Sequence, residues 1–302
     1  MPYCAFKQLT GSGGCLLAHM ATLAEITLYP IKSCAGIALR TATLTRAGLM
    51  TDSVHDREWM LVDDAGNFLT QREHPRMALI VPRLNGQALE VCAPGMRPLE
   101  IELGLPRPGV MPSVTVQLWG EHVNACDGGA IPATWFSTAL GVACRLVRFD
   151  PATIRLSREK WSAGVAAPTR FSDGFPFLVI GMESLADLNG KLAAAGRAAL
   201  PMNRFRPNLV IDGIGAFEED YAESLRLGDL LLKPVKPCPR CPIPSVDQAT
   251  GLVGPDPLDL LRGYRAKAEL DGAICFGMNS IVVEGGQQSI HVGQEIGVTL
   301  AF

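Results

Sequence analysis

No stretch of 18 consecutive apolar residues occurs in this sequence, which excludes a helix that spans a bilayer. Nor is there an excess of positive charge. The 27 Lys and Arg face 30 Asp and Glu, a formal net charge of −3, so a bulk nucleic-acid partner is not expected. A disulfide framework is missing as well. Nine cysteines, an odd number, are scattered over 302 residues, the usage of a reduced protein of the cytoplasm. There is no internal repeat and no low-complexity block. The first 20 residues hold one lysine and no sustained apolar core, so they do not read as a secretory signal. Patterned sequence begins just after Met20. Residues 1–21 are therefore read as a disordered extension or as an artefact of start-site choice, the first being favoured, with Met1 and Met20 both open as the start.

What is present is mostly strand. "LAEITLYPIK" (23–32) alternates near period two and stops at Pro30. "EWMLVDDAGNFLTQR" (58–72) predicts a hairpin with arms Trp59–Val62 and Phe68–Thr70 around turn residues 64–67. "ALIVPRL", "ALEVCA", "LEIEL" and "VTVQLWG" predict further short strands, and "IPATWFSTALG" (131–141) a short helix that stops at Gly141. A boundary falls near 145–170, where "REKWSAGVAAPTRFSDGFP" reads as a site-forming loop. "FLVIG" (177–181) follows as a buried strand. "SLADLNGKLAAAGRAAL" (184–200) is the clearest helix, with Ser184 as its cap and Leu185, Leu188 and Leu192 on one face. "NLVIDG", "SLRLGDLLLKPVK", "SIVVEGG" and "SIHVGQEIGVTL" complete the set as strands. The length suggests two domains, here 22–145 and 146–302. Both are strand-dominated, which favours a barrel-like α+β protein over a doubly wound one.

"KPVKPCPRCPIPSVD" (233–247) holds two cysteines, three cations and five prolines. Proline fixes φ and removes a donor, so the stretch predicts a stiff extended loop rather than a helix interior or central strand. Cys238 and Cys241 admit several readings. A structural zinc needs four ligands, and there is neither a second Cys-x-x-Cys nor a His-x-x-x-His. A thioredoxin-type pair belongs at a helix start, which Pro242 and Pro244 oppose. Two small buried hydrophobes would account for Cys238 better than for Cys241. A single thiolate at Cys241, beside Arg240 and held on an electropositive loop, suits a soft metal or a covalent reaction.

Cations recur at strand ends: Lys32 before Ser33, Arg57 before an apolar strand, and Arg204 and Arg206 before Asn208. Each alone reads as an ordinary surface group. Together with the thiol loop they form a constellation suited to phosphate, which the guanidinium fork binds bidentately. "FSDGFP" (171–176) adds the Ser172 hydroxyl, the Asp173 carboxylate and a glycine that lets backbone approach a ligand.

"LYPIKSCAG", "DREWMLVDDAGNFLTQREHPRMALI", "FSDGFPFLVIGMESLADLN", "RFRPNLVIDG", "EEDYAESLRLGD", "KPCPRC…VDQATG", "DPLDLLRGYR" and "FGMN" follow one another over residues 22–300. In that order they resemble the MOSC proteins with their amino-terminal associated region. These are relatives of the carboxy-terminal domain of molybdenum cofactor sulfurase and of the amidoxime-reducing components. The resemblance implies a strand-rich associated domain followed by a MOSC β-barrel. It implies a molybdenum–molybdopterin cofactor with Cys241 as the metal ligand, and Lys32, Ser33, Arg57, Ser172, Asp173, Arg206, Asn208, Pro239 and Arg240 around the cofactor. Asp247 and Asn279 fall on the substrate side, and with Cys241 they are the candidate catalytic residues. The implied activity is reduction of N-hydroxylated compounds to amines. The implied alternative is a non-enzymatic carrier of the cofactor or of sulfur, in which Cys241 could hold a persulfide. "PIPSVD" after the ligand and Asn279 depart from the mitochondrial type, which opens the substrate range. No Cys-x4-Cys-x2-Cys spacing is present, so electrons are expected from a separate ferredoxin- or cytochrome b5-like protein and its reductase.

Overall fold

The computed structural model describes residues 6–9, 15–86, 88–104, 111–162 and 164–301. Its centre is a closed barrel of seven strands: Cys15–Leu28, Leu209–Asp212, Phe177–Gly181, Ala273–Glu284, Leu230–Pro239, Ala222–Leu227 and Glu295–Ala301, in that spatial order. Closure comes from Cys15–Leu28, which pairs with Leu209–Asp212 on one edge and with Glu295–Ala301 on the other. Glu295–Ala301 alternates exposed and buried residues, the signature of a sheet with one wet face. Phe177–Gly181 is buried at every position and runs parallel to Leu209–Asp212. A parallel neighbour needs a crossover. Helix α3 (Met182–Ala194) supplies it, burying Leu188 and Leu192 against the sheet.

The expected extension over 1–21 is in part strand. The Cys15–Leu28 strand already pairs with the last strand from Leu16 onward, in register with Ala301. Residues 1–5 and 10–14 lie outside the described residues. The amino-terminal half adds three small sheets. Trp59–Val62 joins Arg145–Phe149, Glu121–Asp127 and Ser113–Leu118; Val81–Asn85, Ala88–Cys92 and Leu99–Glu102 form a meander. The third takes a strand from the other half, since Gln288–His291 pairs with Thr41–Thr45. The halves thus exchange strands, and one apolar cluster runs from Leu23 and Leu44 through Trp59 and Val179 to Leu300.

Four local expectations are revised. The prolines of 233–239 do not make a loop: Leu230–Pro239 is one strand, with register shifts at 231/232, 234/236 and 237/239. Ala222–Leu227 stops pairing with it at Leu232, so beyond that point it is paired along one side only, where missing N–H groups cost nothing. Helix α3 begins two residues before Ser184. That hydroxyl is no cap; it donates to buried Glu219 Oε2 at 2.7 Å and accepts from Phe217 N–H at 2.8 Å. The 158–176 loop contains a short helix, α2 (Glu159–Ser162). A further helix, α4 (Leu258–Arg265), stands on buried Leu258 and Leu261. Helix α1 (Ala130–Leu140) ends at Gly141, whose φ of 73° is the left-handed stop expected of it.

Candidate cofactor site

A cavity of about 490 Å³ opens where the two halves meet. The candidates Lys32, Ser33, Arg57, Ser172, Asp173, Arg206, Asn208, Pro239, Arg240, Cys241 and Asn279 all line it. Asp247 does not. Its Oδ1 accepts the N–H groups of Ala249 and Thr250, both at 2.9 Å, and its Oδ2 accepts Arg204 Nη2 at 2.7 Å. Those turn N–H groups, with Arg204, hold its carboxyl below the usual range. Asp247 thus ties the turn that follows Cys241 to Arg204, which also donates to the carbonyls of Pro244 and Ser245.

Backbone geometry aims the anchors. Ser33, Arg57 and Arg206 sit at φ of 65°, 48° and 58°, in the left-handed region that side chains other than glycine rarely enter. Such strain persists where surrounding structure imposes it, and it clusters at ligand sites. Here the restraints are visible. The Arg57 N–H donates to the Tyr29 carbonyl at 2.7 Å, and Gln71 Nε2 donates to the Ser33 carbonyl at 2.8 Å. Gln71 in turn exchanges hydrogen bonds with Gln248, tying the Ser33 turn to the segment after Cys241.

The charge balance is lopsided. Eight cations line the cavity (Lys32, Arg57, Arg72, Arg155, Arg158, Arg206, Lys236, Arg240) against two carboxylates, Glu121 and Asp173. Several of the cations are committed. Lys32 donates to the Phe171 carbonyl at 2.9 Å and pairs with Asp173. Burial lowers the Lys32 pKa, and the Asp173 carboxylate offsets part of that. Burial by the walls would raise the Asp173 carboxyl, but Lys32 and the Trp119 indole N–H (3.0 Å) outweigh it and hold it well below the usual range. Its side chain remains open, 74% exposed. Arg57 pairs with Asp56 and donates to Asn208 Oδ1 at 3.1 Å, and Asn208 Nδ2 donates to Asp56 Oδ1 at 2.9 Å. Arg206 is different. It is 8% exposed and stacks over Tyr29 at 4.3 Å, yet it has no hydrogen-bond or ion-pair partner among the described residues. Burial pulls its pKa down. An uncompensated buried cation facing a cavity is a place for an anion.

The two cysteines both line the cavity but differ in their contacts. Cys241 lines the cavity and its sulfur makes no hydrogen bond among the described residues. Cys238 packs against the Phe205–Phe276 cluster and accepts from Arg240 Nη1 at 3.2 Å. Arg240 also donates to the Phe205 carbonyl at 2.8 Å, so its guanidinium supports Cys238 and not the Cys241 sulfur. Among the described residues no cluster of three or more His, Cys, Asp or Glu side chains gathers to hold a metal. Sequence reasoning missed Arg155, Trp119 and Trp161. Arg155 is buried and donates to the carbonyls of Arg170 and Ser172 at 2.8 and 2.7 Å, fixing the turn that carries Asp173. Only its lone position between two loops was visible, and that carries no signal.

The seven-stranded barrel thus lies beside a cationic cavity lined by two cysteines, of which Cys241 has no hydrogen bond to its sulfur among the described residues. The MOSC N-terminal beta barrel domain matches residues 20–143 and the MOSC domain matches residues 167–297; the chain belongs to the MOSC family. It is 33% identical over 291 residues to mitochondrial amidoxime reducing component 2 of Rattus norvegicus, covering 93% of this chain and 84% of that protein. It is 34% identical over 255 residues to mitochondrial amidoxime-reducing component 1 of Homo sapiens, covering 83% and 74%. The molybdenum cofactor sulfurase of Oryza sativa subsp. japonica is 31% identical over 296 residues, 91% of this chain but 35% of that larger protein. Among the described residues no helix is long and apolar enough to cross a membrane.

Proposed function

We propose that this protein is a molybdenum-cofactor oxidoreductase that reduces N-hydroxylated compounds (hydroxylamines, amidoximes, N-hydroxylated bases) to amines or amidines. Each turnover consumes two electrons and two protons and releases water. The electrons come from a separate redox protein. The single observation that carries the reading is that the Cys241 thiol and the buried, unpartnered Arg206 guanidinium line the same cavity.

The residues fit the cofactor. A phosphorylated pterin dithiolene is strongly anionic, and cations outnumber carboxylates eight to two on this wall. Arg206, Lys32 and Arg57 would hold the phosphate and pterin, and the Ser33, Ser172 and Asn208 turns would supply neutral contacts. Cys241 would be the soft protein ligand. When bound, the cofactor supplies two-electron transfer to the N–O bond. The protein orients the ligand cysteine through the Arg204–Asp247 clamp and presents the half-buried Asn279 to the substrate.

The test uses protein made in a cofactor-competent host, with molybdenum and pterin content and benzamidoxime reduction measured under an artificial electron donor. Wild type is expected to carry the metal and to turn over, and Cys241→Ala to lose both. Full metal content and full reduction in Cys241→Ala would remove the ligand assignment. A wild type that holds the metal but reduces nothing would favour the carrier reading.

A further inference from the structure

The Cys241 side of the cavity carries a group of side chains that cofactor binding does not use. The short helix α2 packs on the Leu230–Pro239 strand. A bridge between Leu156 and Pro168 and the Ser157 N–H to Ala167 carbonyl bond (2.8 Å) close the loop beneath it. The Trp161 ring is thereby held on the cavity wall. Lys236 Nζ stands 5.3 Å from its centroid, and Lys236 is the register partner of Asn279. All three line the cavity with Cys241, and neither the Lys236 ammonium nor the Asn279 amide has a hydrogen-bond or ion-pair partner among the described residues.

Four aromatic rings of this wall carry a cation. Lys32 over Phe68 is tied to Asp173, Arg72 over Trp119 to the Thr70 hydroxyl, and Arg240 over Phe205 to a carbonyl. The Trp161 ring carries two, Lys236 from the cavity wall and Lys160 from outside it, both at 5.3 Å, and among the described residues Lys236 has no contact of this kind but the indole. A cation–π contact of this kind is worth about 0.5–1 kcal/mol at a solvated site. A flat ligand can displace it at little cost, gaining an offset stack on the indole.

We infer that Trp161, Lys236 and Asn279 form the substrate subsite, and that Trp161 selects planar N-hydroxylated compounds, aryl or heterocyclic, over saturated ones of equal size. This rests on the reductase reading above. A ligand over the indole leaves Lys236 free to meet its N–O oxygen, while the Asn279 amide offers both a donor and an acceptor. The surrounding cations add direction. An N-hydroxylated amidine is less basic than the amidine itself, so the neutral substrate is tolerated and the protonated product is repelled.

The experiment compares N-phenylhydroxylamine with N-cyclohexylhydroxylamine, matched in size and different in planarity. Wild type, Trp161→Ala and Trp161→Phe are assayed at equal molybdenum content with an artificial donor. Calorimetry follows benzamidoxime binding to the same proteins without a donor. Trp161→Ala is expected to raise KM for the phenyl compound about tenfold and to move that of the cyclohexyl compound less than about twofold. Trp161→Phe recovers most of the loss, and benzamidoxime binding weakens in parallel. An unchanged phenyl-to-cyclohexyl ratio in Trp161→Ala overturns the inference and leaves the reductase reading intact. Trp161-dependent binding without any turnover has the opposite meaning: the subsite stands and the reductase reading fails. Absence of benzamidoxime binding to wild type also overturns the subsite.

Discussion

The Lys32 ammonium and the Asp173 carboxylate, 141 residues apart in the chain, close on each other in the cavity wall. The two ends are unequally wet. The Lys32 side chain is 6% exposed and also donates to the Phe171 carbonyl, while Asp173 is open to the cavity. The pair therefore fixes the Phe171–Gly174 turn against the Lys32 turn, and its electrostatic contribution is that of a screened contact.

Asp173→Asn keeps an acceptor for the Trp119 indole and removes the charge. Near neutral pH it is expected to destabilise the cofactor-free protein by about 1 kcal/mol, the scale of a partly solvated pair. Because Lys32 depresses the folded-state pKa of Asp173, the pair's contribution is present above the unfolded carboxylate value of about 4 and is lost as pH falls through the folded value. Thermal unfolding of both proteins across pH checks this. A gap that stays constant into strong acid would show that Asp173 acts through shape alone.

Arg206 gives the reverse expectation. Its buried guanidinium has Tyr29 beneath it and no ion pair among the described residues, and burial outweighs the more distant Asp56 carboxylate, so in the cofactor-free protein it is a net cost. Arg206→Met should raise the stability of that form by about 1 kcal/mol or more, a shift on the order of 2–4 °C in Tm. The same variant should purify without molybdenum cofactor. A fall in Tm together with normal cofactor content would mean that Arg206 is structural.

Much of this arrangement is legible in the sequence where periodicity is strong. Alternation marks the Glu295–Ala301 strand, the apolar run marks Phe177–Gly181, and Gly141 marks the end of α1. Rules about single residues are less secure. The prolines of Leu230–Pro239 argue against a strand, yet a strand paired along one side tolerates them, and pairing partners cannot be read from one segment. Ser184 looks like a cap because of local spacing, but its partner, Glu219, is 35 residues away. The anchors Lys32, Arg57 and Arg206 stand out because each is a cation at a strand end. Trp161 and Arg155 do not, because only the loop closure at Leu156–Pro168 and the Arg155 bonds to Arg170 and Ser172 bring them to the cavity.

Asp247 lies outside the cavity and should still matter to activity. Asp247→Ala removes the acceptor of Arg204 Nη2 and two turn N–H bonds, leaving a buried guanidinium on the Pro244 and Ser245 carbonyls. The expected cost is about 2 kcal/mol of stability. Because the loop after Cys241 loosens, kcat should fall while the ratio of KM values for two substrates of different shape holds. Asp247→Asn, which keeps the turn acceptors, should recover part of both. A changed KM ratio would place Asp247 against the substrate instead.

Cys238 and Cys241 share a Cys-x-x-Cys spacing, and the structure gives them different neighbours. Both line the cavity, but Cys238 also packs on the Phe205–Phe276 cluster and receives Arg240 Nη1, whereas the Cys241 sulfur has no hydrogen bond among the described residues. Cys238→Ala should therefore cost about 1 kcal/mol, the scale of one small buried group and one weak hydrogen bond, and leave molybdenum content near that of wild type. Cys241→Ala should leave Tm of the cofactor-free protein nearly unchanged and abolish metal binding. The Cys238→Ala, Cys241→Ala double variant separates the two roles: independent sites add in stability, and the metal content follows Cys241 alone. Equal loss of molybdenum in the two single variants would instead make the pair a joint ligand.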